Sequence, residues 1–296
     1  MSSGSILSTS IPIRAVLSAL LASLMFASMG VAVRYSSAEL PFEMNVFLRS
    51  GFGLLFLMPW VIKFGIRNLA TQRFRGHLFR CLAGLSAMYC FFFAIANLHL
   101  AEAVLLNYSS PLFIAVIALV WLGEKPTRKL VVAIATGFIG LCFILKPGMA
   151  IFQEAAWIGL LSAVLAALAM VSIRNLSRTE PTIRIVFYFT LISTLVSLIP
   201  LYWFWQTPQP LTLAVMACAG LTACFGQLLL TYSYTLAPAA QVGPFTYTSV
   251  VFAAVYGWVF WAEIPDVYTL IGGLLVITAG SMTLQRRSLP RLTEPD

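Results

Sequence analysis

One arginine, Arg49, lies inside a long apolar stretch of the sequence at residues 44–62. A charged side chain within such a stretch is costly, and it usually faces a protein interior or a water-filled cavity. Two interpretations stay open. In the first, the guanidinium group anchors an anionic group such as a carboxylate. In the second, it only supports packing, either by extending toward the nearer end of its helix or by pairing with an acid such as Glu43.

A second apolar stretch, 103–122, carries polar side chains at helical spacing. Asn107, Ser110 and Pro111 are expected on one helix face, with Tyr108 beside it. Because proline has no amide hydrogen, Pro111 leaves the carbonyl of Asn107 without its helical partner. These groups are suited to lining a cavity, and hydrogen bonding between helices is the alternative.

Similar polar groups recur in three other apolar stretches. An amide in the middle of an apolar helix needs a partner, which is either a neighbouring helix or a bound molecule. Aromatic faces and amides together suit a planar or amphipathic ligand. The further cavity candidates are Gln241, Tyr247, Thr248 and Ser249 in stretch 239–261, Tyr89 in stretch 79–97 and Gln227 in stretch 211–232.

No catalytic or metal-binding pattern accompanies these residues. The chain has 2 His and 10 Asp plus Glu, and they are not spaced as a nucleophile with its base or as a set of metal ligands. A Gly-rich phosphate loop is also missing from the sequence. We therefore predict no catalytic residue, no metal and no cofactor, and we disfavour both a membrane-embedded enzyme and a channel.

The composition excludes soluble classes of protein. Of 296 residues, 60% are hydrophobic and 9% are charged, whereas a soluble domain has about 25% charged residues. A soluble enzyme, a DNA-binding domain and a disordered chain are therefore ruled out. The net charge of +8 comes without a compact basic module, so no nucleic-acid partner is expected.

The apolar residues fall into ten stretches of about the length that spans a bilayer. The stretches are 15–33, 44–62, 79–97, 103–122, 130–145, 155–173, 185–203, 211–232, 239–261 and 267–284. With the N-terminus in the cytoplasm, the cytoplasmic segments hold most of the 18 Lys and Arg, and Arg80 at the edge of the third stretch is counted with them. We predict an all-α integral membrane protein of the inner or plasma membrane, with ten transmembrane helices and both termini cytoplasmic.

The two halves of the sequence repeat each other. The matched markers, to which we give structural roles, are Arg34 with Arg174 and Pro41 with Pro181 at an offset of 140 residues, and Glu124 with Glu263 at an offset of 139. We assign 1–13 to a tail, 14–146 to the first five-helix repeat, 147–285 to the second and 286–296 to a basic tail. Because five is odd, the second repeat enters the membrane from the opposite side. Such inverted repeats are typical of alternating-access transporters, with the substrate near the midplane.

Short motifs add a family resemblance that covers nearly the whole chain. Ten spans in a five-plus-five duplication resemble the EamA-type family of the drug/metabolite transporter superfamily. The motifs that resemble the family are Phe47-Leu48-Arg49, Ser110-Pro111-Leu112-Phe113, Leu122-Gly123-Glu124 and Trp261-Ala262-Glu263.

The resemblance implies a secondary-active carrier for a small organic metabolite. Export of an amino acid or related compound is slightly favoured. The alternative is uptake or exchange of a nucleoside-like or vitamin-like metabolite such as S-adenosylmethionine or riboflavin. The expected partners are the small-molecule substrate, the lipid bilayer and a coupling proton or counter-substrate, and the expected state is a monomer or homodimer.

Overall fold

The computed structural model describes residues 12–110, 112–113, 117, 128–145, 154–177, 179–236 and 245–284. Within these residues, every regular element is a helix. The helices are α1 (Ile13–Ser36), α2 (Phe42–Phe64), α3 (Phe74–Asn97), α4 (Leu100–Asn107), α5 (Arg128–Leu145), α6 (Glu154–Leu176), α7 (Thr182–Ser197), α8 (Leu201–Phe204), α9 (Pro210–Leu236), α10 (Thr248–Trp261) and α11 (Val267–Leu284), with a 3-10 turn at Ile66–Leu69.

Five of these helices are long and apolar enough to cross a membrane: Ile13–Ser36, Phe42–Lys63, Phe74–Asn97, Glu154–Ile173 and Pro210–Leu236. Shorter apolar helices accompany them, including Thr182–Ser197, Thr248–Trp261 and Val267–Ala279. A helix satisfies its own backbone hydrogen bonds, which is why apolar chain in lipid becomes helical. The fourth and ninth predicted stretches lie partly outside the described residues, so the ten-helix count stays a prediction.

Three predicted boundaries were wrong. Helix α3 begins at Phe74 and not at residue 79, so Arg80 lies inside the helix instead of in the preceding loop. The seventh stretch is interrupted after Ser197, and α8 resumes at Leu201 behind Pro200. Helix α4 ends at Asn107, so the fourth stretch is not one continuous helix. Hydropathy averaged over a whole stretch does not reveal such breaks, because each turn is only two or three residues long.

Each major contact between the two halves of the chain has a counterpart at the offset of 140 residues. At this offset α1 corresponds to α6, and α3 corresponds to α9. Helix α1 packs on α9, and correspondingly α6 packs on α3. Helix α2 packs on its own counterpart α7, and α5 packs on its own counterpart α11. A two-fold axis produces this pattern, because it exchanges some contacts and maps others onto themselves. The pairs α2–α7 and α5–α11 are the self-mapped ones.

Glycines bring helix backbones close together at two of these contacts. A Cβ atom added to Gly220 of α9 would lie 2.8 Å from the backbone nitrogen of Gly53 in α2. One added to Gly140 of α5 would lie 2.8 Å from the carbonyl oxygen of Gly272 in α11. Small residues permit such contact between helices in membranes, where dispersion and not water exclusion drives association.

We predict that Gly220→Ala destabilises the α2–α9 contact by about 1–3 kcal/mol, because the added methyl group meets backbone atoms that cannot move aside. Thermal unfolding of the purified protein in detergent measures the loss. Gly51→Ala is the matched control, since its added Cβ would make an ordinary 3.9 Å contact with Thr194. Equal midpoints for the two variants would contradict the close packing.

Candidate functional site

Two arginines of neighbouring helices, Arg49 of α2 and Arg80 of α3, lie buried around one aromatic ring. We call them the arginine pair. Arg49 is 3% exposed and Arg80 is 4% exposed. The Cζ atom of Arg80 lies 3.7 Å from the ring centroid of Phe189 in α7, and that of Arg49 lies 5.7 Å from it. A desolvated cation over an aromatic face gains about 2 kcal/mol.

The repeat explains why these groups meet. At the offset of 140 residues, Arg49 corresponds to Phe189, so the two residues occupy equivalent places on the self-mapped pair α2–α7. Residues that face a two-fold axis also face each other. Gly84, one turn beyond Arg80 in α3, provides room, since a Cβ there would collide with Nη1 of Arg80 and lie 3.1 Å from the Phe189 ring.

The arginine pair has hydrogen-bond donors that no protein group fills. Within the described residues, Nε and Nη1 of both arginines are buried and have no hydrogen-bond partner. The Arg49 side chain is buried within the protein. Glu43 does not pair with Arg49 in the described structure, where Oε2 of Glu43 itself lacks a partner.

Arg80 is the functional candidate that sequence reasoning missed. Four other cations at residues 63–75 made the whole segment resemble a loop that marks the cytoplasmic side. The available signal was the apolar run on both sides of Arg80 from Leu78 onward, with Gly84 one turn later.

An ion pair joins the two halves of the chain at one end of the bundle. Arg34 of α1 and Glu263 after α10 approach to 3.2 Å between Nη2 and Oε1. Arg34 also donates from Nη1 to the carbonyl oxygen of Ile95 at 2.6 Å, and Glu263 accepts from the amide of Leu100 at 2.9 Å. Two repeat markers thus bind each other, one from each half. Their counterparts are Arg174, whose side chain is not described, and Glu124, which lies outside the described residues.

A second charged cluster ties the halves near the opposite end of α3. The carboxylate of Glu180 accepts hydrogen bonds from Arg184 at 2.6 Å and from Thr71 at 2.7 Å. Its Oε2 atom also lies 3.7 Å from Nε2 of His77, which is fully buried at the start of α3. Burial acts to raise the pKa of the Glu180 carboxyl, but the bonds from Arg184 and Thr71 and the charge of Arg184 outweigh it and lower that pKa below 4.5.

The predicted polar faces form hydrogen bonds between helices. Asn107 donates to Ser162 of α6 at 2.9 Å. The hydroxyl groups of Tyr108 and Ser249 lie 3.0 Å apart, and Ser249 donates to the carbonyl oxygen of Ser23 at 3.3 Å. Asn107 and Ser110 do not share a face of one helix as predicted, because the turn at Tyr108 and Ser109 separates them.

The other candidates are spread along the bundle. Tyr247 and Tyr89 each have a buried hydroxyl group with no hydrogen-bond partner among the described residues. Thr248 donates to the carbonyl oxygen of Phe245 at 2.6 Å, and Gln227 is half-buried in α9. Gln241 and Pro111 lie outside the described residues.

An apolar groove of about 580 Å³ lies between α1, α9 and α10. Its lining includes Tyr35, Phe260 and Trp261 with small residues of α1 and α9. The predicted cavity candidates do not line it. Among the features that join the two halves are the arginine pair with Phe189, the bond from Asn107 to Ser162, the polar bonds around Ser249 and the two charged ties.

Apolar helices that pack symmetrically around buried polar groups define a multi-pass membrane protein of the transporter class. The chain belongs to the EamA-like transporter family, whose model matches it twice, at residues 13–146 and 153–284. A solved crystal structure superposes with a TM-score of 0.66 at 17% identity, over 90% of this chain and 95% of that chain. That likeness shows the fold.

Relatives with named activities are transporters of different molecules. The chain is 37% identical over 268 residues to the pseudopaline exporter of Pseudomonas aeruginosa (strain UCBPP-PA14), covering 89% of this chain and 93% of that protein. It is 29% identical over 290 residues to a riboflavin transporter of Rhizobium johnstonii (strain DSM 114642 / LMG 32736 / 3841), covering 96% of each. It is 26% identical over 233 residues to an S-adenosylmethionine uptake transporter of Rickettsia bellii (strain RML369-C), covering 79% and 80%.

We predict that Glu180→Gln removes an acid-dependent part of the stability. Because folding lowers the pKa of Glu180, its contribution is present above pH 4.5 and is lost as the pH falls through the folded pKa. At pH 7 the variant should lose about 1 kcal/mol, or about 2–4 °C in unfolding midpoint. Midpoints measured from pH 7 to pH 3.5 should converge with those of the wild type at low pH. Glu154→Gln, at an exposed carboxylate, is the control, and parallel curves for wild type and Glu180→Gln would contradict the assignment.

Proposed function

We propose that this protein is a secondary-active transporter that moves a small organic metabolite across the inner or plasma membrane by alternating access. The observation that carries the proposal is the exchange of helix packing at the 139–140 residue offset. With five helices in each repeat, one half is inverted relative to the other, and each can adopt the conformation of its mate. Ten transmembrane helices with both termini in the cytoplasm are part of the proposal.

The two charged ties support a role in closing the two ends. Helix α3 contacts the Arg34–Glu263 tie through Ile95 and the Glu180 tie through His77. These residues are 18 positions apart, which is about 27 Å along a helix. Breaking one tie opens one end while the other holds, which is the requirement for alternating access.

Export of an amino acid or related compound is the favoured direction and substrate class. The 37% identity to an exporter is higher than the 29% and 26% identities to the riboflavin and S-adenosylmethionine transporters. Uptake or exchange of a vitamin-like or nucleoside-like metabolite is the second candidate, because those relatives match 96% and 79% of the chain.

A flux measurement tests the function. Proteoliposomes containing the folded chain are loaded with a panel of amino acids, their derivatives, riboflavin and S-adenosylmethionine, and release is followed with and without a proton gradient. We expect saturable release of at least one compound, absent from protein-free liposomes. Purely passive release across the whole panel, with folding verified, would reject transport.

Cysteine labelling tests the topology. In a variant without native cysteines, Gln206→Cys in the α8–α9 connection should react with an impermeant maleimide in intact spheroplasts. Ala70→Cys, between α2 and α3, should react only after permeabilisation. Both positions are exposed in the structure. The reverse pattern would place the termini outside, and labelling of both sites in intact spheroplasts would contradict the helix count.

A further inference from the structure

We infer that the arginine pair binds the transported substrate, and that this substrate is a small organic anion with two carboxylates. This inference rests on the proposed function, because it gives the transported metabolite a chemical class. The sequence suggested a single anchor at Arg49. The structure places a second guanidinium group beside it, so that each takes one carboxylate.

Both arginines of the pair are buried without a group that compensates their charge. In the described part of the chain, Nε and Nη1 of both arginines are buried and unbonded, and the charged neighbour that acts on Arg49 is Arg80, a second cation. A cation in a low-dielectric interior is compensated by an acid, by hydrogen bonds or by a bound anion. Since the described residues supply neither an acid nor a hydrogen bond to these nitrogens, a bound anion completes the site.

The site is built from both repeats. Phe189 of the second repeat holds Arg80 against its ring at 3.7 Å, and Gly84 leaves the space that the guanidinium group fills. Cys224 of α9 lies near Arg49. A ligand at this site contacts α2 and α3 of the first half and α7 and α9 of the second. It therefore contacts both of the halves that move against each other in the proposed mechanism.

Its depth favours a soluble substrate over a lipid headgroup. Phe189 lies midway along the 16 residues of α7, and Arg49 lies two turns inside α2. Lipid phosphates lie at the level of helix ends. Substrate sites of inverted-repeat transporters lie near the midplane.

Charge and shape favour two carboxylates. The guanidinium group is a planar fork that matches a carboxylate with two parallel hydrogen bonds. Because both Cζ atoms lie near one ring centroid, at 5.7 and 3.7 Å, they are at most about 9.4 Å apart. Two cations within that limit can each bind one end of a short-chain dicarboxylate, which neutralises both charges, whereas a single carboxylate leaves one cation uncompensated.

Ligand-dependent thermal unfolding of the full chain in detergent tests the inference. The probes are glutarate, glutamate and citrate, with neutral glutaramide and singly charged butyrate as controls. The variants are Arg49→Gln and Arg80→Gln, with Arg75→Gln as the matched control because Arg75 is an exposed arginine on the same helix. Gly84→Ala keeps both charges but displaces the Arg80 guanidinium group from Phe189. It therefore tests the role of Arg80 in ligand binding if an arginine variant does not fold.

We expect a dicarboxylate to raise the midpoint of wild type and Arg75→Gln, and glutaramide to leave it unchanged. Arg49→Gln, Arg80→Gln and Gly84→Ala should each weaken binding at least about tenfold. Without ligand, the arginine variants should unfold at the same or a higher temperature than wild type, because an uncompensated buried charge is removed. Lower midpoints with unchanged ligand shifts would overturn the inference and make the pair structural.

Two further comparisons distinguish a lipid ligand from a soluble carboxylate, and failure of the binding site from failure of transport. A midpoint raised by phosphatidylglycerol in nanodiscs, with none of the soluble carboxylates acting, would overturn the inference in favour of a lipid site. Binding without flux in proteoliposomes would reject transport and leave the site standing. Flux that is unchanged in both arginine variants would reject the site and leave transport standing.

Discussion

A charge removed from water must be compensated, and this constraint orders the structure more than any other. Arg34 meets Glu263, and Glu180 meets Arg184, so each of these charges has a partner of opposite sign. Arg49 and Arg80 instead share the Phe189 ring, and their Nε and Nη1 atoms have no bond in the described part of the chain. The protein thus holds two cations in its interior, and our inference is that a bound anion compensates them.

The sequence repeat explains where the arginine pair lies in the bundle. The helix pairs α2–α7 and α5–α11 map onto themselves, while α1–α9 exchanges with α6–α3. A site on a self-mapped pair lies between the two halves. The two charged ties lie toward opposite ends of α3.

The all-helical class, the long apolar helices and the family were predictable, since they depend on apolar segment length and on repeated residues such as Pro41 and Pro181. Arg49 was identified because a charge in an apolar run is conspicuous. Arg80 was not, because it lies at the edge of the predicted stretch 79–97 and was counted with the basic segment that precedes it. The bond from Asn107 to Ser162 joins helices 55 residues apart, and local spacing carries no information about such partners.

A structure of the full chain in phosphatidylcholine nanodiscs, determined by electron cryo-microscopy at saturating citrate or glutarate, tests the central claim most directly. The account predicts ligand density between α2, α3 and α7, with carboxylate oxygens about 2.7–2.9 Å from nitrogens of both Arg49 and Arg80. A map in which both guanidinium groups bond to protein carboxylates, or in which the ligand lies elsewhere and the pair is unchanged, would contradict it.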